Sequence, residues 1–361
     1  MHDHNRDRWV YVGTYTHKGA SEGIYIYRLD MATGTLTPAG VAKGIQNPSF
    51  LALDPQHRYL YAVNETMTFD GQPGGGVSAF AVDPQSGLLT HINSQCTHGG
   101  APCYVSVDQT GRFVCVANYM GGNAAAFPMR ADGGLDPASA VVQHTGSSVN
   151  PRRQEGPHAH SITLDPTNTF AFVADLGIDK VMVYRLDLEG GTLPPHTPSS
   201  VEVEAGAGPR HMAFHPNGRY AYLITEMGNT IVAYAYDAAQ GTLDALQTVP
   251  ALPEDFTGQS TCADIHVVPT GKFLYGSNRG HDSIVIYAID ANTGFLAYVG
   301  HAPTQGKTPR NFAIDPTGTY LFAAHQDSDS IVTFRIDPET GKLTPTGQVT
   351  DVPMPVCVII I

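Results

Sequence analysis

The chain is short of charge, of paired cysteines and of long apolar runs. Asp, Glu, Lys and Arg make up only 15% of its 361 residues, yet hydrophobic residues reach 42%. That balance argues against a disordered chain, because there is ample apolar side chain to bury. Basic residues are scarce as well: 20 Lys and Arg stand against 33 Asp and Glu, for a formal net charge of -13. A surface of that sign argues against nucleic-acid and anionic-membrane partners. No run approaches the roughly 20 apolar residues of a spanning helix. The five cysteines (Cys96, Cys103, Cys115, Cys262 and Cys357) are odd in number, scattered, and form no CxxC pair. This is the thiol usage of a reducing compartment, and it excludes a disulfide framework. The start, MHDHNRDRW, has no apolar signal core. A cytoplasmic location is therefore expected, with residues 1–8 as a flexible tail.

What the chain has in quantity is turns: 38 Gly and 26 Pro. They recur with a period. The residues that follow Asp54, Asp108, Asp165, His215, Val268 and Asp315 fall at 55, 109, 166, 216, 269 and 316. Each of these turns leads into a short apolar strand, as in RYLYAVNE (58–65) and RYAYLITE (219–226). A further strand ends in Asp at 83, 187, 237, 290 and 337, and a Gly-x-Leu turn then opens a fourth, as at Gly241 and Gly341. Four short strands in about fifty residues make a propeller blade. The first strands, WVYVGTYT (9–16) and GIYIYRLD (23–30), begin in mid-repeat, and MPVCVIII (354–361) ends in mid-repeat. One blade is therefore split between the two ends, which closes the ring and hides its edges. The expected fold is all-β: one seven-bladed propeller over residues 1–361, with four-stranded antiparallel blades.

In a propeller the first strand of each blade lines the channel, and the end of the second lies beside its start. Superposing the repeats gives the residues that meet there. Six before the marker stand Ser49, Cys103, His160, Arg210, Ala263 and Arg310, and five before it Phe50, Tyr104, Ser161, His211, Asp264 and Asn311. Ten after it stand Glu65, Tyr119, Leu176, Glu226, Arg279 and Gln326, and nine after it Asn64, Asn118, Asp175, Thr225, Asn278 and His325. A structural repeat has no need of arginine, histidine and glutamate in its innermost columns, so they describe a polar, cationic pocket for a small anionic ligand. The repeated turn and closing aspartates read as structural, and Cys103 reads as a buried filler. The glycine run 71–76 has no phosphate-loop lysine after it, which speaks against nucleotide binding.

Three segments carry a family resemblance. GPRHMAFHPNGRYAYLITE (208–226), ADIHVVPTGKFLYGSNR (263–279) and TPRNFAIDPTGTYLFAAHQ (308–326), with EGPHAHSITLDP (155–166), resemble the lactonase family of seven-bladed propellers. This family includes bacterial propeller-type 6-phosphogluconolactonases and fungal carboxy-cis,cis-muconate cyclases. The resemblance implies a catalytic set of His160, Arg210, Glu226 and Arg279, with a water activated by Glu226 or His160. It implies hydrolysis of a sugar lactone, 6-phosphoglucono-δ-lactone for preference. His158, His211, Arg310, His325, Glu65 and Asn118 are the expected substrate-binding residues, and register favours His160 over His158 for the pocket. No GxSxG elbow is present, so no acyl-enzyme is expected. No cofactor or metal is expected either, although Glu65, Asn118 and Asp175 are the residues that would serve a calcium ion. The partner is then a small anionic lactone or carboxylate, bound by a monomer or weak homodimer. A muconate-type dicarboxylate substrate, or a non-enzymatic binding propeller, are the alternatives.

Overall fold

The computed structural model describes residues 8–17 and 20–361. Seven four-stranded antiparallel sheets stand around a channel. Blade four shows the pattern: Pro209–Phe214 lines the channel, followed outward by Tyr220–Thr225, Thr230–Asp237 and Thr242–Pro250. The innermost strands of the others are Leu51–Leu53, Pro102–Val107, Ala159–Leu164, Thr261–Val267, Pro309–Ile314 and Pro355–Ile360. The last of these comes from the C-terminus and pairs with Arg8–Thr14, with Val12 opposite Val358. So the split blade closes the ring as the sequence implies. Arg8, expected in the tail, instead opens this strand opposite Leu29; residues 1–7 lie outside the described residues.

Each turn of the repeat has a physical cause. The buried carboxylates of Asp54, Asp108, Asp165 and Asp315 each accept the amides four and five residues on, at 2.5–2.8 Å. The second strand can start only at that fixed angle. In blade four His215 takes the place of the aspartate, and its Nδ1 accepts the Asn217 amide at 3.1 Å. The closing aspartates cap their loops: exposed Asp337 Oδ1 accepts the Glu339 and Thr340 amides.

Neighbouring blades are held by seven apolar clusters, one at each interface. A repeated tyrosine latches them. Tyr11, Tyr61, Tyr222 and Tyr275 each donate a hydroxyl to the carbonyl of a glycine in the next blade, Gly87, Gly133, Gly294 and Gly341. Gly294 has φ +75°, and a Cβ there would lie 2.4 Å from the Tyr220 ring, so no other residue fits. The ring is thus tightly specified outside, which leaves its inner face free to vary.

Asp315→Ala removes a buried acceptor of two strand amides and is expected to cost about 2–3 kcal/mol in urea unfolding. The same change at exposed Asp337 should cost clearly less. Equal losses would mean that the buried turn does not set the blade geometry.

Candidate functional site

The innermost strands share an irregularity that builds the site. In six of the seven the pairing register skips a residue near its start: at Cys103, His160, Arg210, the Ala263–Asp264 step, Arg310 and Val356. A bulge re-aims a side chain out of the alternating pattern. Here it brings Cys103, His160, Arg210, Arg310 and Val356 to the channel. Tyr15, Ser49, Phe50, Glu65, Cys103, His160, Arg210, His211, Arg310 and Val356 line the resulting cavity. Its volume is about 10 Å³, the space of a single water at most. Anything larger than a water is therefore excluded from the cavity itself.

At the mouth stands Glu226, 5% exposed. Its Oε2 accepts from Arg210 Nε at 2.9 Å and pairs with Arg279 Nη2 at 3.0 Å. Its Oε1 accepts from Arg153 Nη2 at 2.6 Å. Burial alone would raise the Glu226 carboxyl, but the Arg279 and Arg210 charges overcome it and hold the group well below the usual carboxylate range. It is therefore ionised and, with three guanidiniums on it, a poor base. Arg210 is buried and also donates to the Ala263 carbonyl and to His211 Nε2. Burial and the charges of Arg279 and Arg310 pull it down to about 10, so it stays charged near neutrality. Arg279 donates to the Cys262 carbonyl at 2.8 Å, while its Nε is buried without a partner.

His160 lies beside this group. Burial, then the Arg210 charge, push its imidazole well below the ordinary range, so it is neutral at pH 7. Its Nδ1 is 3.8 Å from Cys103 Sγ, and no hydrogen-bond partner takes its Nε2 among the described residues. The Cys103 thiol is pushed up by burial and stays protonated, which fits a filler rather than a nucleophile. One layer below, His211 Nδ1 donates to Asp264 Oδ1 at 2.8 Å, and that carboxylate also takes His266 and Asn311. The tautomer of His211 is thereby set, and its Nε2 is free to accept from Arg210. On the opposite wall Glu65 accepts from Tyr15 and Ser49, and Arg310 lies over the Tyr15 ring at 5.6 Å.

Of the expected residues, the structure brings His160, Arg210, Glu226, Arg279, His211, Arg310 and Glu65 together. Three lie elsewhere. His158 stacks on the far side of Tyr119 at 4.6 Å and bonds Glu155, so it is His160 that reaches the cavity. Asn118 bonds the Thr97 carbonyl and Asn123 inside its blade, and His325 faces Ser330. Their column alternates with that of Glu226 along the strand, so its side chains point into the blade and tie the second strand to the third. Asp175, in the same column, bonds His144 and the His158 amide. Among the described residues no group of three or more His, Cys, Asp or Glu is placed to hold a metal ion. Two contributors were not anticipated. Tyr15 belongs to the Glu226 column once the split blade is superposed, because Tyr11 matches Tyr222. Arg153 lies in the loop that makes the second repeat the longest, and that excess length was the signal.

Fold and site define a seven-bladed propeller that gathers arginines, carboxylates and a neutral histidine at its channel. The chain belongs to the lactonase family: the family model "Lactonase, 7-bladed beta-propeller" matches residues 9–360. The Bacillus subtilis protein named 6-phosphogluconolactonase is 41% identical over 305 residues, 84% of this chain and 84% of its own length. A Formosa agariphila protein of the same name is 37% identical over 309 residues, covering 85% of this chain and 86% of its own. The structure of the Pseudomonas aeruginosa periplasmic gluconolactonase superposes with a TM-score of 0.93 at 36% identity, over 99% of both chains. The chain is thus a lactone hydrolase, and the reading as a purely binding propeller falls away.

The buried histidines give a stability test. His211 sits at about 4 when folded, with burial and the Arg210 charge as causes, against about 6.5 in an unfolded chain. Between those values the unfolded state binds the extra proton, so stability rises with pH and is complete above about 6.5. His160 acts in the same direction, and Glu226, held ionised, adds stability that is lost only at lower pH. His266 opposes them: burial would lower it, but the Asp264 charge raises it, so its contribution is present at low pH and lost as pH rises through its folded value. Urea midpoints should therefore fall from pH 6.5 toward 4, and His211→Asn should flatten that slope. An unchanged slope would show that His211 binds its proton equally well folded and unfolded.

Proposed function

We propose that the protein hydrolyses 6-phosphoglucono-δ-lactone to 6-phosphogluconate. One observation carries the reading. Four guanidiniums (Arg153, Arg210, Arg279 and Arg310) surround two carboxylates, Glu65 and Glu226, so the mouth and cavity keep two positive charges in excess. They do so inside a protein of net charge -13. That excess suits the dianion of a phosphate monoester. The relatives from Bacillus subtilis and Formosa agariphila carry the name of this activity.

In the proposed reaction the water oxygen adds to the lactone carbonyl carbon while His160 takes one of its protons. Neutral and with an open Nε2, it can do so; Glu226, saturated by arginines, is assigned to holding them in place. Arg210 carries the developing oxyanion in a buried setting, where a charged donor counts most. Collapse then breaks the bond from that carbon to the ring oxygen. The leaving oxygen takes the proton back from His160, whose weak basicity makes its protonated form a strong acid. The product is the open-chain hydroxy acid, with atoms and protons balanced. The free thiols of the five cysteines suit a reducing compartment, and a cytoplasmic location is part of this proposal.

His160→Gln should lower kcat about 10²–10⁴-fold above the spontaneous rate, and Arg210→Met by a similar factor, with freshly generated lactone as substrate. Wild-type protein that does not accelerate ring opening would remove the sugar-phosphate reading and point to muconate-type dicarboxylates.

A further inference from the structure

The three guanidiniums on Glu226 are not equivalent. Arg210 is 2% exposed and Arg279 13%, whereas Arg153 is 40% exposed. Arg210 and Arg279 share Oε2, and Arg153 alone holds Oε1 among the described residues. The backbone under Arg153 is fixed from both sides. Ser148 Oγ donates to Asp179, Asn150 receives the Arg153 and Gln154 amides, and buried Gln154 donates to the Leu176 carbonyl at 2.9 Å. Beyond Glu226 the side chain's hydrogen-bond partner among the described residues is the Tyr119 hydroxyl, at 3.2 Å. A long, half-exposed side chain on a pinned base can change partner without moving the fold.

We propose that Arg153 recognises the phosphate of the substrate by exchanging partners: it leaves Glu226 Oε1 for the phosphate, and the vacated oxygen accepts from a sugar hydroxyl. The inference rests on the reading of the protein as a sugar lactonase and deepens it. Each group keeps a partner of the right kind in both states. The guanidinium trades a carboxylate for a phosphate, whose geometry its fork fits. Glu226 keeps Arg210 and Arg279 throughout, so the oxyanion donor stays aligned. A lactone without phosphate has no anion to offer. It must either leave the 2.6 Å pair closed, with Oε1 blocked, or open it and leave the guanidinium with Tyr119 and water in place of an anion. Specificity for phosphorylated lactones then comes from a built-in penalty on the others as much as from a new attraction.

The test measures kcat/KM on 6-phosphoglucono-δ-lactone and on glucono-δ-lactone for wild type, Arg153→Met and Arg153→Lys. Calorimetry of 6-phosphogluconate against gluconate runs beside it. The ratio of phosphorylated to unphosphorylated kcat/KM is expected to fall tenfold or more in Arg153→Met. Arg153→Lys, which keeps the charge but not the fork, should lie between. A ratio that stays constant while both rates drop together would make Arg153 a structural residue and overturn the proposal. Wild type inactive on both lactones would instead overturn the assigned reaction. The calorimetric preference for the phosphorylated acid then decides on Arg153: its loss in Arg153→Met supports the exchange, and its persistence overturns it.

Discussion

Everything at the channel mouth depends on one buried carboxylate. Glu226 lies where three chain segments converge, and each brings it a guanidinium: the blade-four entry strand, the end of the second blade-five strand, and the loop before blade three. Burying Glu226, Arg210 or Arg279 alone would cost several kcal/mol, and together they offset one another. Arg210 could not be 2% exposed and still charged near neutrality without that partner. The network is therefore an arrangement that keeps Arg210 and Arg279 largely desolvated and held in place, at the expense of some stability.

The propeller makes such an arrangement possible by separating duties along the repeat. The turn aspartates, the tyrosine latches and the interblade clusters recur from blade to blade and fix the ring. The bulge recurs in six blades, but its residue is free to differ: Cys103, His160, Arg210, Ala263, Arg310 and Val356 occupy equivalent positions. Backbone geometry is shared, while chemistry is written in the side chain at one position per blade. Neutral His160 and charged Arg210 differ in state under the same low exposure: burial and then the Arg210 charge keep the imidazole neutral, while the guanidinium, pulled down to about 10, still holds its proton.

Much of this was legible in the residues. The fifty-residue period is a strong signal because each blade must rebuild the same turns, and the split blade follows from where the period starts and stops. Arg210, Glu226, Arg279 and His160 stood out because charge in an inner column has no structural purpose in a repeat. Superposition was less reliable one position along. Asn118 and His325 precede the mouth column by one residue, and strand alternation turns them into the blade. Arg153 escaped because an insertion has no counterpart in the other repeats, so no column contains it. Tyr15 was hidden by the division of its blade between the chain ends. The pairing of His211 with Asp264 needed the structure, since it joins adjacent blades 53 residues apart.

The most direct measurement is a crystal structure with 6-phosphogluconate bound. The account expects the phosphate in the fork of Arg153 and the carboxylate of the product within hydrogen-bond reach of Arg210 and His160. Glu226 should still hold Arg210 and Arg279. Product seated at the opposite end of the channel, or on the outer face of a blade, would contradict the central claim that this buried carboxylate organises the site.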